Sequence, residues 1–226
     1  ISMRRLADCR CENFHGGRIT ELSLYKGDTY KLELESGQTF FLNCALVADY
    51  DLYEGGEMDA ELLEKLQHAD NMRKAKKRAL YLLGSRMYCY GELYKKLMPV
   101  YGEEASRAAA DAMQEYGYID DEDYARKLAE RLIRGKRYGM GKTRWEMQRR
   151  GLDKNLVEDV LAEYSEDDID EEIMHLLQTK YSEKLYDPDD RRRTMAALAR
   201  RGYGWSEVKR CMERCAELTD DEDFED

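Results

Sequence analysis

Two prolines in 226 residues leave almost nothing to interrupt a helix, and they exclude a proline-rich linker protein. Histidine is nearly as scarce: His15, His68 and His175 stand apart, without the serine or cysteine neighbours that would make a nucleophile. No apolar run approaches the roughly 18 residues a membrane helix needs, so no membrane association is expected. No basic start leads into an apolar stretch, so no secretory signal is expected; Met3 reads as the natural first residue, with Ile1-Ser2 added ahead of it. Cysteine is present at Cys9, Cys11, Cys44, Cys89, Cys211 and Cys215, but scattered over a charge-rich chain, which fits reduced thiols in the cytoplasm better than a disulfide framework. Zinc ligands usually come in two close pairs with two to four residues between them. Cys9 and Cys11 are too tight for that, and Cys211 and Cys215 lie one helical turn apart, as two core positions would. No metal and no cofactor are expected.

What the chain has in quantity is charge: 38% of residues, against roughly 25% for an average globular protein. The 37 Lys and Arg against 48 Asp and Glu give a net charge of -11, unevenly spread. Residues 126–150 hold Arg126, Lys127, Arg131, Arg134, Lys136, Arg137, Lys142, Arg144, Arg149 and Arg150 against only Glu130 and Glu146, a net of +8. Further basic clusters lie at Arg73–Arg78, at Arg191-Arg192-Arg193 and at Arg200-Arg201. Glu163–Glu172 and residues 217–226 each carry seven acids and no base. Such segregation predicts alternating positive and negative surfaces, which suit a protein partner of complementary pattern.

Periodicity divides the chain. Residues 1–17 have none and read as a poorly ordered lead-in. Ile19, Leu22 and Leu24, then Tyr30, Leu32 and Leu34, then Phe40 to Val47, are apolar segments broken by Gly27 and Gly37, the mark of hairpin-linked strands. A small antiparallel meander with a short helix near Met58–Ala69 is expected over residues 18–69. Everything beyond reads as helix, with Asp120-Asp121 and Asp153 placed to begin helices. Gly102, Gly151 and Gly202 recur 49 and 51 residues apart in matching contexts. Leu93 and Leu97, Trp145 and Met147, and Met195 and Leu198 precede them; Met113 and Tyr116, then Val160, Leu161 and Tyr164, then Cys211, Met212 and Cys215, follow as core. Three tandem three-helix repeats over residues 70–117, 118–164 and 165–218 are predicted, stacked into an elongated, curved array. An acidic tail, 219–226, closes the chain. Pro99, with one extra residue before Gly102, predicts that the second helix of the first repeat stops early.

No catalytic constellation is visible. Gly139-Met140-Gly141-Lys142-Thr143 contains the end of a phosphate-binding loop, but Lys136 occupies the place of its first glycine and a charged helix precedes it. A loop opening the next helix is the better reading, and the chain is not expected to be an enzyme.

The stretch Gly117-Tyr118-Ile119-Asp120-Asp121-Glu122-Asp123-Tyr124-Ala125, with Tyr138-Gly139 and Arg149-Arg150-Gly151-Leu152-Asp153, resembles the central signature of the RecX family of recombination regulators. Arg78-Ala79-Leu80-Tyr81-Leu82-Leu83 with Glu92-Leu93 and Lys96-Leu97 is similar to that family's first repeat, and Arg200-Arg201-Gly202-Tyr203 with Trp205 and Val208 to its third. The resemblance covers residues 70–218; the β-rich front looks like an extension some members carry. It implies a non-enzymatic modulator that lies in the groove of the RecA recombinase–DNA filament and restrains filament growth, ATP hydrolysis and strand exchange, with a place in DNA repair and the SOS response. The 126–150 block and the Arg191–Arg193 and Arg200-Arg201 clusters are expected to face the filament, and reversing Arg144, Arg149 and Arg150 to Glu to abolish inhibition without altering the fold. Direct DNA binding is the alternative, and weak, salt-sensitive affinity for single- or double-stranded DNA is compatible with either. A recognition helix is not evident, since the third helix of the middle repeat offers Lys154, Asn155, Glu158, Asp159 and Glu163, too acidic for a groove. A general adaptor repeat is a third class.

Overall fold

A computed structural model of the chain describes residue 14, residues 16–185 and residues 187–222. Most of the expected lead-in, and residues 223–226 of the acidic tail, lie outside the described residues. The architecture is mainly helical with a small antiparallel sheet near the N-terminus.

Alternation builds the sheet. β1 (Gly17–Lys26) and β2 (Thr29–Leu34) pair through the turn at Gly27-Asp28, and β3 (Thr39–Asn43) pairs with β2. Leu32, Leu34, Phe40 and Leu42 are fully buried, while Lys31 on the other face bridges Glu21 and Glu33 at 2.8 and 2.7 Å. A fourth strand, β4 (Glu57–Met58), completes the order β3-β2-β1-β4. The last apolar segment departs from expectation: Leu46 and Val47 belong to a helix, α1 (Cys44–Asp49), not a strand. The cause is Asn43, whose side chain accepts from the Ala45 N–H as a cap while its amide donates to Asp28 at 2.6 Å.

The helix expected to end near Ala69 does not. α2 (Ala60–Leu83) runs unbroken across that boundary, burying Leu63 and Leu66 in the core of the sheet and Ala75, Ala79 and Leu82 further along. Pro99 does not stop the next helix either: α3 (Tyr90–Glu115) passes through it and breaks at Gly102, where φ is 76°. The chain forms two compact units, one of residues up to Leu82 with 97–113, the other of 83–96 with 114 onward.

Among its described residues the second unit carries six more α-helices: α4 (Asp121–Glu130, extended by a π-helical turn over Arg131–Gly135), α5 (Met140–Arg150), α6 (Lys154–Leu161), α7 (Glu166–Lys180), α8 (Pro188–Arg200) and α9 (Trp205–Glu222). Their starts are set by caps legible in the chain: Asp120, Asp153, Ser165 and Asp187 each accept a backbone N–H of the first turn. One core runs through all six, including Leu128, Met147, Val157, Leu177, Leu198 and Met212, and Cys211 and Cys215 lie in it. Two residues assigned to the apolar pattern are not core: Trp145 is 55% exposed and Tyr116 62%.

Gly151 and Gly202 end α5 and α8 in left-handed backbone, φ 100° and 92°, which favours glycine. Each is also a docking point. A Cβ on Gly91, at the start of α3, would strike the Gly151 carbonyl, and one on Gly139, ahead of α5, would strike Gly202 and Tyr203 backbone. The second junction is sealed by Gly139 N–H to Arg201 O at 2.9 Å and Gly141 N–H to Gly202 O at 3.0 Å. The same contact therefore holds successive second helices together twice.

Candidate interaction surface

The stretch that imitates a phosphate loop has turned two of its backbone donors to this junction. Gly139 and Gly141 N–H bond the end of α8, and Thr143 is buried. Among the described residues no group of three His, Cys, Asp or Glu could hold a metal ion, and no helix is long and apolar enough to cross a membrane.

The basic block divides by position around α5. Helical geometry of 3.6 residues per turn places buried Thr143 and Met147 on one side. Arg144 and Arg150 sit on the two flanks, and both are clamps. Arg144 donates from Nε and Nη2 to Glu158 of α6 at 2.7 and 2.9 Å, and the guanidinium holds the Glu158 carboxyl below its ordinary range. Arg150 donates to the Tyr124 hydroxyl at 3.0 Å, which donates to Glu92 at 3.0 Å, and Glu92 receives a forked pair from Arg86 at 2.7 and 3.1 Å. Burial raises Tyr124, keeping it a neutral donor in this chain of contacts. Arg144 and Arg150 thus carry contacts between helices, and reversing them to Glu would remove those contacts along with any contact to a partner.

Other members of the block are paired with acids of the following helices. Arg126 meets Glu163 at 3.0 Å, Arg134 meets Asp168 at 2.9 Å, and Arg137 meets the buried Glu172. Three of the seven acids in 163–172 are counter-charges of the basic block, brought to it by the fold, while Glu166 and Asp170 pair with Arg210 of α9. Lys127 pairs with Asp123 on its own helix at 2.7 Å, Arg192 with Asp189 at 3.2 Å and Arg193 with Asp190 at 3.0 Å. Arg201 donates to the carbonyls of Lys136 and Arg137 at 3.1 and 3.3 Å. Among the described residues, Arg131, Lys136, Lys142, Arg191 and Arg200 make no ion pair with a carboxylate.

The outer crest of α5, opposite Met147, carries Lys142, Trp145 and Arg149. At 3.6 residues per turn these lie within about 60° of arc. The Lys142 ammonium sits 4.2 Å from the centre of the Tyr138 ring, with Lys136 on the same ring at 5.8 Å, and the Arg149 guanidinium is 4.9 Å from the Trp145 ring. Arg149 also touches Glu146 at 3.0 Å, yet its side chain stays 61% exposed. Lys95, exposed on α3, donates to the Arg149 carbonyl at 3.4 Å and extends the line. The result is a row in which rings and bases alternate, with Lys136, Trp145, Arg149 and Lys95 exposed and Tyr138 and Lys142 half-buried. Of the expected residues, Lys136, Lys142 and Arg149 belong to it; Tyr138, Trp145 and Lys95 were not foreseen. Tyr138, Lys142, Trp145 and Arg149 are spaced four, three and four apart, the signal that could have revealed one helix face.

A family model described as "RecX, second three-helix domain" matches residues 120–161, which span α4 to α6. A regulatory protein RecX of Clostridium botulinum is 25% identical over 199 residues, covering 85% of this chain and 93% of the relative. One of Bacillus subtilis is 24% identical over 217 residues, covering 92% of this chain and 80% of the relative. A crystal structure of regulatory protein RecX matches 87% of this chain and 98% of its own with a TM-score of 0.68 at 20% identity, a likeness of fold.

Proposed function

Since this chain belongs to the family of RecX regulatory proteins, we propose that it acts in the cytoplasm by binding the RecA recombinase–DNA filament and inhibiting filament extension, ATP hydrolysis and strand exchange. It works by occupancy and not by chemistry. The exposed row of α5 supports this reading most strongly: it is a fixed line of positive charge on a chain of net charge -11, with flanks and ends tied into the protein. A binding surface held rigid in advance loses little freedom when a partner arrives. Arg131, Lys136, Lys142, Arg149 and Arg200 are the proposed contacts among the bases, with Arg191 beside Arg192 and Arg193 as a second patch. Arg126, Arg134, Arg137, Arg144, Arg150 and Arg201 support the fold that presents them.

Duplex reading by a recognition helix is disfavoured by α6, where Glu158 faces Arg144 and Asp159 is exposed. The test is ATP hydrolysis by the host recombinase, preassembled on single-stranded DNA, as the protein is titrated in. Inhibition well below one copy per recombinase protomer is expected. No effect at a full equivalent would refute the proposal.

A further inference from the structure

The row on α5 has features that a salt-bridging protein contact does not require. Trp145 is exposed, Tyr138 just ahead of the helix is half-buried, each ring has a base over or beside it, and Lys142, Trp145 and Arg149 share one crest of α5. Trp145 is 55% exposed at a place where the other sides of the helix are packed or clamped. A flat ring in water beside a cation that stays largely exposed, as Arg149 does despite its contact with Glu146, offers a stacking face and a phosphate anchor together, the pairing by which proteins hold single-stranded nucleic acid. Duplex DNA hides its base faces, so a ring on a convex helix crest cannot stack on them without unstacking the duplex.

The neighbouring bases give the path. Lys95 lies against the Arg149 backbone at one end, and Lys136 and Lys142 share the Tyr138 ring at the other. Both ends are fixed, because Gly151 abuts Gly91 and Gly139 abuts Gly202. We infer that the α5 crest is a docking surface for single-stranded DNA, with Trp145 stacking on a base and Lys95, Lys136, Lys142 and Arg149 lying along the phosphates. Resting on the filament reading, this assigns the crest to the DNA strand of the filament and leaves the recombinase to other surfaces.

The probe is a fluorescein-labelled thirty-residue oligothymidylate. Two tryptophans are present, so the Trp205→Phe protein reports Trp145 alone. The oligonucleotide should quench Trp145 fluorescence, and affinity should fall about fiftyfold from 50 to 200 mM salt if four phosphates are neutralised. Trp145→Ala should weaken binding about tenfold or more, Trp145→Phe much less, and Lys142→Glu with Arg149→Glu should flatten the salt dependence. Circular dichroism and thermal unfolding check that each variant is folded. Absent quenching, equal binding by folded Trp145→Ala, or tighter binding to a duplex of the same length would overturn the inference. So would a folded Trp145→Ala protein that keeps oligonucleotide affinity but loses capture of DNA-free recombinase, because the crest would then be a protein contact. The filament reading fails separately, if oligonucleotide binding holds but recombinase ATP hydrolysis is untouched.

Discussion

Substituting Gly139 by alanine tests the junction that joins α5 to the end of α8. The backbone of Gly139 has φ -72° and ψ 169°, a conformation open to any residue, so no dihedral penalty arises. In the unfolded chain, alanine would stabilise the fold by about 0.4–1 kcal/mol through lost entropy. Against this, the new Cβ overlaps the Gly202 carbonyl and the Tyr203 nitrogen. These are backbone atoms, so relief requires α5 and the end of α8 to separate. Separation weakens Gly139 N–H to Arg201 O at 2.9 Å, Gly141 N–H to Gly202 O at 3.0 Å, and the bond from Arg201 to Lys136 O at 3.1 Å. With overpacking at about 1–3 kcal/mol and net hydrogen bonds at about 1 kcal/mol each, the balance is a loss of about 2–4 kcal/mol. That corresponds to roughly 5–15 °C in Tm for a chain of this length. Two controls set the scale. At Gly141 an added Cβ meets Gly202 O at 3.3 Å, a contact relieved by a small shift, and at Gly135 the nearest atom is the Arg131 side chain at 3.8 Å. Urea unfolding followed by far-UV circular dichroism should show the largest loss for Gly139→Ala and a smaller one for Gly141→Ala, with Gly135→Ala neutral or stabilised by up to about 1 kcal/mol. A Gly139→Ala protein within about 0.5 kcal/mol of the parent, or a Gly135→Ala protein equally damaged, would refute the close-approach account.

Asp170 is 7% exposed and takes two bonds from Arg210 at 2.8 and 3.0 Å, with Arg214 at 3.6 Å; burial pushes its carboxyl up, but these contacts outweigh it and hold the carboxyl below its usual range. Asp170→Ala should cost about 2–3 kcal/mol near neutral pH. Because the folded-state value is depressed, this stabilisation is complete above an ordinary aspartate value of about 3.9 and is lost as pH falls through the folded value, so the parent–variant gap should close on acidification. A gap that stays constant down to about pH 2 would exclude this linkage. Burial pushes the Cys89 thiol up to about 11 and Cys211 to about 12, whereas Cys44 is exposed. Maleimide labelling with peptide mapping should therefore modify Cys44 at least about a hundredfold faster than Cys89, Cys211 or Cys215 in the folded protein, and similar rates would contradict their burial.

The legible parts of this molecule were those written by local chemistry. Gly102, Gly151 and Gly202 stand out in the sequence, and all three have positive φ in the structure. Asp120 and Asp153 are caps as their positions imply, and the Cys211–Cys215 spacing is that of a buried face. What was hidden depends on contacts across the chain. The acids that neutralise Arg126, Arg134 and Arg137 lie 34 to 37 residues away in sequence, so counting charge within a window gives a larger surface excess than exists. An aromatic at helical spacing also reads as core by default, which concealed Trp145. Leu46 reads as strand because the sheet's apolar pattern continues into a helix that only the Asn43 cap reveals.

Repeat packing and the free surface are one problem in this protein. The second helix of the middle repeat has neighbours at both ends, Gly202 against Gly139 and Gly91 against Gly151, and such close approach leaves those ends no side chains to offer a partner. Its flanks must hold α6 and α4, and Arg144 and Arg150 are committed there. Its inner side is Met147 and Thr143 in the core. The crest is therefore the most open face of this helix, since the flanks are half-buried. The commitments that restrict the crest also fix its geometry, because neither helix rotation nor end fraying can re-aim Lys142, Trp145 or Arg149 without breaking a glycine junction or an arginine clamp. Binding energy at the crest is then coupled to the integrity of the junctions. Damage at Gly139 would weaken recognition even though its backbone is turned to α8 and away from any partner.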